Sequence, residues 1–431
     1  MKHADSRRIA FEVLCDVLDK DAYSNLLLPR RLQDSQLEAR DRAFTTELVY
    51  GTLRLQGRLD YYITQLSHRS LDQLELQIQV LLRMGLFQLL ELKMPPHAAV
   101  FETTEVAKAV VGKSAASFIH AILREGDRKP PTLPPDESFE AISIRTSHPE
   151  WIVRALSDSL GKSEEVEALL NSHNLPAWPT LNALPGRVTS DELLQAGALA
   201  IEGAQRAFIF RGNPGDLDSV RLHNTIVQDH GSQIVVEQFF QVAKSLHPDR
   251  PLRWLDLCAG PGGKAAYLDA LITDGDFIAN EISEHRARLV SNVVRRGQIT
   301  HHDGRSLPPE LGKFDAILID APCTGLGALR RRPEVRWRRT PNDLGSLQNL
   351  QRELLHSAAS ICEIGGVLGY STCSPHLAET TLQVMRFLAE HPNFERIETT
   401  SPSCTRDGDL QLWTHRDGTD SMFLSLLKRR S

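Results

Sequence analysis

The chain has 431 residues, of which 41% are apolar and 24% charged, and its formal net charge is −6. This length predicts two or three domains, and the acidic balance excludes a global positive field, so any nucleic-acid site would have to be a local patch. Six scattered cysteines without metal-ligand spacing, no long apolar run and no secretory signal predict a cytoplasmic protein with no membrane partner and no metal.

The first 130 residues show the periodicity of amphipathic helices. Apolar residues recur at helical spacing over 9–18, 44–55, 74–92, 100–111 and 116–123. Four prolines then interrupt the polar stretch 126–136, which predicts a linker because proline cannot continue a helix. We therefore expect an all-helical domain over residues 1–130.

The pattern between residues 140 and 222 is mixed. Helical periodicity over 151–170 and 191–199 alternates with apolar runs at 179–184 and 221–227 that are typical of short strands. We expect a small α+β connector over residues 140–222.

Strand and helix patterns alternate regularly over residues 223–431. After a helix at 232–246, strands are predicted at 252–258, 277–281, 314–320, 366–372 and 422–428. Helical patterns follow the first four of these strands and end near residues 271, 296, 362 and 391. Such alternation is typical of a parallel sheet covered by helices, in which ligands bind at the carboxyl ends of the strands.

Chemically distinctive residues follow the ends of the first four of these predicted strands and of a further strand that we expect to end at His302. They are Asp256 with the glycine-rich loop 258–264, Glu281, Asp303, Asp320 with Cys323, and Cys373. Acidic residues at strand ends often cap the next helix, but that explanation does not easily cover five strand ends at once. The sequence therefore favours a ligand site at this edge of the sheet.

The loop 258–264 is compatible with more than one nucleotide cofactor. A P-loop is remote, because Lys264 is followed by Ala265 and the hydroxyl that binds magnesium is missing. The dinucleotide pattern is formally met by Gly260, Gly262 and Ala265, with Glu281 about twenty residues further on. A dinucleotide cofactor is therefore a serious alternative. S-adenosylmethionine fits better, since Glu281 suits its ribose hydroxyls and Asp303 its adenine amine.

The cysteines at two strand ends indicate the class of reaction. Cys323 and Cys373 lie in turns beside the expected cleft, where thiolate chemistry is favoured. A reversible disulfide between them is the rival interpretation. Cys258 is interpreted as a packing residue of the loop, and the other cysteines as small core residues: Cys15, Cys362 and Cys404.

Three motifs together resemble those of the RNA cytosine-5 methyltransferases: Cys-Ala-Gly-Pro-Gly-Gly-Lys at 258–264, Asp-Ala-Pro-Cys at 320–323 and Ser-Thr-Cys-Ser at 371–374. Residues 42–54 and 116–124 are similar to a NusB-like helical domain, and 147–151 and Asn182 also match the pattern. The resemblance implies an α/β fold: a class I S-adenosylmethionine-dependent, Rossmann-like methyltransferase domain over 223–431, preceded by a NusB-like RNA-binding domain and the connector. It also implies 16S rRNA, free or in a partly assembled small-subunit particle, as partner.

The resemblance further implies roles for residues at the strand ends. Cys373 would be the nucleophile, and Cys323 would assist release of the methylated product. S-adenosylmethionine would be bound or framed by Glu281, Asp303, Asp320 and the loop residues Cys258, Ala259, Gly260, Pro261, Gly262, Gly263 and Lys264. Asp320 is also assigned to the N3 side of the cytosine.

Three departures from the family pattern are visible. Glu281 stands where aspartate is common but keeps the carboxylate, and Ile119-His120 stands where a Val-Asn pair is more frequent. Gly260 stands where alanine is common, and we expect this difference only to loosen the loop.

The implied chemistry needs covalent catalysis, because carbon 5 of cytosine is a poor nucleophile. A thiolate that adds at carbon 6 activates carbon 5, and a base must later remove the carbon 5 proton. Both thiols must reach one ring, so we expect Cys323 and Cys373 to lie close together. A paired base cannot offer carbon 6, so the RNA must be single-stranded or the base flipped out.

An arginine-rich segment follows the Cys323 turn. We predict that its residues bind phosphates and stack on bases: Arg330, Arg331, Arg332, Arg336, Trp337, Arg338 and Arg339. A solvated charged loop is the alternative interpretation. For the whole chain, the alternative function is a non-catalytic RNA-binding antitermination or ribosome-assembly factor, against which the intact strand-end motifs argue.

Overall fold

The structure, a computed structural model, describes residues 2–399, 403–405 and 407–431. The chain forms two compact units. The first is built from Met1–Pro176 and Leu329–Arg339, and the second from Ala177–Ala328 and Thr340–Ser431. Within the described residues, no helix is both long enough and apolar enough to cross a membrane.

The described part of the first unit is helical, as predicted for the N-terminal region. Its helices are α1 (Lys2–Asp19), α2 (Ser24–Gln33), α3 (Ala39–Arg54), α4 (Gln56–Ser67), α5 (Leu76–Leu86), α6 (Pro96–Val110), α7 (Gly112–Arg128), α8 (Phe139–Thr146), α9 (Glu150–Leu160), α10 (Val166–Ser172) and, in the later segment, α16 (Val335–Arg338). A π-helical turn at Phe87–Glu91 extends α5, so the long helix predicted over 74–92 is present in this form.

Helix α7 illustrates how the sequence periodicity produces this unit. Its residues Ala116, Ile119 and Leu123 are fully buried, whereas Lys113 and Arg124 are exposed. Residues three and four positions apart share one helix face, so this spacing turns an apolar stripe towards the core.

The first unit extends further along the chain than the predicted domain. Helix α7 continues through Gly126 to Arg128, and the proline-rich stretch that follows lies inside the unit, because α8, α9 and α10 also belong to it. The single helix predicted over 151–170 is interrupted at Gly161, which adopts the left-handed conformation at φ +62° and ends α9. Part of the predicted connector is therefore helical structure of the first unit.

The second unit begins with a small antiparallel sheet. Its strands are β1 (Thr180–Ala183), β2 (Leu199–Ala200), β3 (Ala207–Ile209) and β4 (Thr225–Val227), in the order β2-β3-β1-β4. Two short helices accompany it, α11 (Ser190–Gln195) and α12 (Asp218–Arg221). The strand predicted over 221–227 is thus confined to its last three residues, and β2 and β3 were not predicted.

The large sheet of the second unit carries the predicted α/β architecture. Its strands are β5 (Leu252–Asp256), β6 (Gly275–Asn280), β7 (Gln298–Thr300), β8 (Phe314–Asp320), β9 (Cys362–Thr372), β10 (Phe394–Ile397), β11 (Leu410–Gln411) and β12 (Phe423–Arg429). The order is β10-β12-β9-β8-β5-β6-β7, with β11 paired to β12. Five strands are parallel to one another: β7, β6, β5, β8 and β9. Beyond β9, strand β12 and then β10 pair in antiparallel orientation.

Helices cover both faces of this sheet. They are α13 (His230–Leu246), α14 (Gly263–Leu271), α15 (Glu284–Val293), α17 (Asn342–Ile361), α18 (Thr381–Glu390) and the short α19 (Thr414–Asp417). Side chains of β5 alternate between the two cores: Trp254 packs with Phe239 of α13, and Leu255 joins the opposite core with Leu354 of α17. This alternation follows from the two-residue repeat of a strand.

The order of the strands determines where a ligand can bind. From β5 the chain proceeds outward through β6 and β7, and it then returns to place β8 on the other side of β5. A crevice forms at such a reversal, beyond the carboxyl ends of the central strands. The strand-end residues predicted from the sequence lie at this crevice.

Three local expectations were wrong. Cys362, predicted as the last residue of a helix, begins strand β9, and the helix predicted over 377–391 is a 3₁₀ turn at Leu377–Glu379 followed by α18. Cys404, predicted as a core residue, is exposed, whereas Cys362 is buried and Cys15 half-buried.

Candidate active site

The loop after β5 connects that strand to helix α14 and places backbone amides beside Glu281. The amide of Gly260 donates to Oε2 of Glu281 at 3.0 Å. Oε1 accepts from the amide of Ser283 at 2.8 Å and pairs with the guanidinium of Arg286 at 2.6 Å. Glu281 is 2% exposed, so a buried carboxylate with fixed oxygens faces the glycine loop.

Gly260 is required for this geometry. A Cβ atom at this position would lie 2.3 Å from Oε2 of Glu281 and 3.0 Å from Cβ of Arg286. A larger residue here would displace the carboxylate, so in this chain the glycine also makes room for Glu281. Gly262 has a φ of +117°, which a residue with a Cβ atom rarely adopts.

Asp256, the last residue of β5, is a buried acid at the base of this loop. Its Oδ1 accepts from the amide of Cys258 at 3.3 Å, and within the described part of the chain its Oδ2 has no hydrogen-bond partner. Burial and the nearby Asp320 carboxylate raise the pKa of Asp256 to about 8. The carboxyl group is therefore largely protonated at neutral pH and can donate a hydrogen bond.

The third strand end holds Asp303 less deeply. Its carboxylate accepts from the amide of Arg305 at 3.0 Å and pairs with the Arg305 guanidinium at 2.6 Å. These hydrogen bonds lower the pKa of Asp303, which is half-buried. Asn280, fully buried at the end of β6, ties the neighbouring loops together through the carbonyls of Leu257 and His302.

The cysteines of the fourth and fifth strand ends meet, as the sequence predicted. Sγ of Cys323 lies 3.4 Å from Sγ of Cys373. The Cys373 carbonyl accepts from the amide of Gly327 at 2.8 Å, so the two turns also contact through their backbones. The hydrogen bond with Cys373 and burial raise the pKa of Cys323 well above its usual value. Cys323 is thus held as a protonated thiol.

A lysine from the glycine loop reaches the same strand end. Nζ of Lys264 pairs with Oδ2 of Asp320 at 2.9 Å. Burial alone would lower the pKa of the Lys264 ammonium, but Asp320 and, more weakly, Cys373 raise it above its usual value. The loop and the cysteine turns therefore form one charged and polar cluster.

Two protein families match the chain, one over its N-terminal part and one over its C-terminal part. The NusB family matches residues 4–128, and the family described as 16S rRNA methyltransferase RsmB/F matches residues 243–428. The ribosomal RNA small subunit methyltransferase B of Klebsiella pneumoniae is 30% identical, with 100% of each chain covered. This chain belongs to the RsmB/F methyltransferase family.

Two further relatives agree with this membership. A Mycobacterium tuberculosis protein that is named only as a methyltransferase is 41% identical, covering 98% of this chain and 96% of its own. The crystal structure of PH0851 superimposes over 100% of this chain and 99% of its own with a TM-score of 0.82 at 22% identity, which shows a shared fold. The predicted NusB-like domain and Rossmann-like methyltransferase fold are confirmed.

Members of the RsmB/F family use S-adenosylmethionine as methyl donor, which confirms the predicted cofactor. The crevice of this chain fits such a ligand. The glycine loop has no side chain at Gly260, where a Cβ atom would collide with Glu281, and the buried Asp256 keeps an oxygen without a partner among the described residues.

The arginine-rich segment of this RsmB/F family chain is a structural part of the first unit, and one of its predicted RNA contacts is wrong. The guanidinium of Arg336 is fully buried, and it donates to the carbonyls of Arg54, Ser147 and His173 and to Oδ1 of Asn174 at 2.7–3.2 Å. Burial and the charge of Arg54 lower the pKa of Arg336 to about 9. Arg336 is therefore an anchor and cannot contact RNA.

Two neighbours of Arg336 also contact protein groups. Arg338 donates to the carbonyls of Val17 and Ala22 at 2.7 and 2.6 Å. The half-buried Trp337 ring lies against Gly57, where a Cβ atom would be 2.5 Å from it. Both side chains are half-buried and pack within the first unit, and their contacts with RNA stay a prediction. Arg332, by contrast, is exposed.

The sequence interpretation missed one group of residues beside the cysteines. Glu379, fully buried in the 3₁₀ turn after β9, accepts hydrogen bonds from Thr324 and Gln351. The sequence offered only a weak signal, an acidic residue at the start of an otherwise apolar helical pattern.

Proposed function

We propose that this chain methylates carbon 5 of a cytosine in 16S rRNA, the position numbered 967, through a covalent bond between Cys373 and carbon 6. The observation that supports this most is the pair of thiols 3.4 Å apart at the crevice rim. Two sulfur atoms at this separation can act on adjacent carbons of one pyrimidine ring. The NusB match over residues 4–128 is compatible with an RNA substrate.

In this proposal Cys373 is the nucleophile. Addition of its thiolate at carbon 6 breaks the aromatic character of the ring and makes carbon 5 electron-rich, which divides one difficult step into easier ones. Lys264 supports the thiolate, because its ammonium is close enough to Cys373 for the two charges to interact. Asp320, held by Lys264 at 2.9 Å, is our candidate for the hydrogen bond to the N3 side of the base.

Cys323 acts after methyl transfer. The new methyl group leaves one proton too many on carbon 5, and its removal is coupled to the loss of the Cys373 sulfur from carbon 6. A water molecule that the Cys323 thiol orients removes that proton, or Cys323 itself does so once its own proton has passed to solvent. Its raised pKa keeps it from competing as the first nucleophile.

The methyl donor is held by the glycine loop and the acidic strand ends. Glu281 would bind the ribose hydroxyls, Asp303 the adenine amine, and the loop 258–264 the methionine part. When bound, S-adenosylmethionine supplies an electrophilic methyl group at carbon 5. The protonated Asp256 lies under the loop, where its hydrogen can stabilise a neighbouring backbone or ligand oxygen.

The RNA contacts are proposed for the residues of the arginine-rich segment other than the fully buried Arg336. They are Arg330, Arg331, Arg332, Trp337, Arg338 and Arg339, of which Arg332 is exposed and the others are half-buried. Guanidinium groups bind phosphates without sequence preference, so these residues would contribute affinity and leave the choice of cytosine to other contacts.

The test is methylation of 16S rRNA from a strain that lacks this modification, as free RNA and as partly assembled small-subunit particles. Bisulfite sequencing should show 5-methylcytosine at position 967 with the wild-type protein and none with Cys373→Ala. Cys404→Ala is the matched control, since that cysteine is exposed and its backbone pairs with Leu410 of β11. Full activity of Cys373→Ala would sink the proposal, and RNA binding without any methylation would favour the non-catalytic assembly factor.

A further inference from the structure

A buried acid joins the two cysteine turns of the second unit. The amide of Thr324, the residue after Cys323, donates to Oε1 of Glu379 at 2.8 Å, and the Thr324 hydroxyl donates to Oε2. The same hydroxyl lies 3.1 Å from Oγ of Ser374, the residue after Cys373. Both catalytic turns are therefore hydrogen-bonded to one network at the position next to the cysteine.

The rest of the network fixes Glu379 itself. The side-chain Nε2 of Gln351 donates to Oε1 of Glu379 at 3.1 Å. It also donates, at 2.9 Å, to the carbonyl of Pro322, which precedes Cys323. The hydroxyl of Tyr370 donates to the Glu379 carbonyl at 2.8 Å. The Cys323 turn is thus tied to Glu379 on both sides of the cysteine.

The chemistry of Glu379 is unusual for a residue that only stabilises the fold. Its side chain is fully buried, and in the described part of the chain all its side-chain partners are neutral donors, with no lysine or arginine paired to it. A buried carboxylate without a cation is costly, and three hydrogen bonds offset that cost only in part. The Glu379 carboxylate does, however, accept two charge-assisted hydrogen bonds of 2.5–2.8 Å from Thr324, and these hold that residue in a fixed position.

We propose that Glu379 is a positioning residue for the methyl-transfer reaction: through Thr324, Gln351 and Ser374 it holds the Cys323 turn against the Cys373 turn. The inference rests on the proposed function for its catalytic consequence, but the positioning itself is a property of the free protein. The negative charge also adds, after the hydrogen bond from Cys373 and burial, to the effects that raise the pKa of Cys323.

The first experiment measures the separation of the thiols without RNA. Diamide removes two electrons and two protons from two thiols and leaves a disulfide. The rate of disulfide formation depends on how often the two sulfur atoms approach to about 2 Å. In the wild type, the 3.4 Å pair should give a Cys323–Cys373 disulfide, which peptide mass spectrometry identifies. Glu379→Ala should form it about tenfold more slowly, because the turns can then separate.

Matched variants separate the link from a general loss of structure. Glu379→Gln keeps an acceptor for the Thr324 amide and a donor for its hydroxyl, so its rate should stay within about threefold of the wild type. Thr324→Val removes one hydroxyl from the network and should give an intermediate rate, which also serves if Glu379→Ala does not fold. Glu363→Gln, an exposed acid in strand β9, should behave as the wild type.

The second experiment measures catalysis. Glu379→Ala should lower kcat by about tenfold to a hundredfold while KM for RNA is unchanged, because a displaced thiol affects the reaction and not RNA binding. Glu379→Gln should restore most of the activity. A folded Glu379→Ala protein with wild-type disulfide rate and wild-type kcat would overturn the proposal. If the wild type itself does not methylate RNA, the proposed function fails, and the diamide rates still decide whether Glu379 positions the turns.

Discussion

The cysteine turns of the second unit and the arginine segment of the first differ in what the fold does with their reactive or charged side chains, although Cys323 and the segment are neighbours in the sequence. Cys323 and Cys373 are 50 positions apart, and their sulfur atoms lie 3.4 Å from each other. Arg336 follows Cys323 closely in the chain, and its guanidinium is sealed among carbonyl groups with no exposed surface. Both regions carry residues with obvious chemistry, but Arg336 is buried in the protein, whereas the two cysteines lie at the crevice.

The difference lies in what constrains each region. The two cysteines follow parallel neighbours, β8 and β9, whose carboxyl ends must lie at the same edge of the sheet. The arginine segment contains only a single helical turn, Val335–Arg338, and no repeating pattern specifies which of its side chains face the protein. Residue type indicates chemistry, but topology decides whether that chemistry is available.

The largest expected effect tests the buried arginine. Arg336→Met should destabilise the first unit by about 3–5 kcal/mol, because three carbonyls and one amide oxygen lose their buried donor. The loss in free energy of unfolding is measured by urea unfolding, with hydrogen exchange of the amides in the helices of that unit as the probe. Arg332→Ala, at an exposed position in the same segment, is the control and should change stability by less than about 0.5 kcal/mol. Equal stability of the two variants would remove the contrast between the regions.

The two thiols should differ from each other as strongly as the regions do. Cys323→Ala should still form the bond between Cys373 and RNA but release product about a hundredfold more slowly, since the base for the carbon 5 proton is lost. The covalent protein–RNA adduct should then accumulate on denaturing gels, and Cys404→Ala should show none. A Cys323→Ala protein without any adduct would contradict the release role.

The buried acid beneath the loop predicts a pH dependence of stability. The pKa of Asp256 is raised from 3.8 to about 8 in the folded state, so between these values the folded chain holds a proton that the unfolded chain has lost. Stability from this group is therefore full at low pH and falls by up to about 1.4 kcal/mol per pH unit as the pH rises towards 8. Asp256→Asn should remove this decline in unfolding measurements from pH 5 to 8, whereas Asp276→Asn, at an exposed site, should retain it.

The smallest effect concerns the glycine loop. Gly260→Ala should weaken binding of S-adenosylmethionine by about fivefold, because the added Cβ would lie 2.3 Å from Oε2 of Glu281 and must displace that carboxylate. Calorimetric titration measures this, and Gly345→Ala in helix α17 is the matched control, since no atom there lies within 4 Å of the added Cβ. Equal affinities would show that the Glu281 position is not important for the cofactor.

The sequence supported different parts of the structure to different degrees. Strands β5, β6 and β8 were predicted close to their observed bounds because each is a short apolar run flanked by polar and glycine residues. The short strands β10 and β11 were missed, and β7 was expected only from its end near His302 without predicted bounds, since segments of two to four residues have no periodicity of their own. The network around Glu379 was also missed, because its partners Thr324 and Gln351 lie far from it in the chain and only the fold brings them together.

The sequence alone determined the chemistry of this chain: a glycine loop for the methyl donor, two cysteines at strand ends and a helical N-terminal region. These features are local or follow from the regular alternation of strands and helices, so residue spacing is sufficient to indicate them. Only the tertiary structure decided which of the polar residues are accessible. It buried Arg336, placed Glu281 where Gly260 admits no side chain, and linked Glu379 to both cysteine turns, because burial depends on contacts between segments that are distant in the chain.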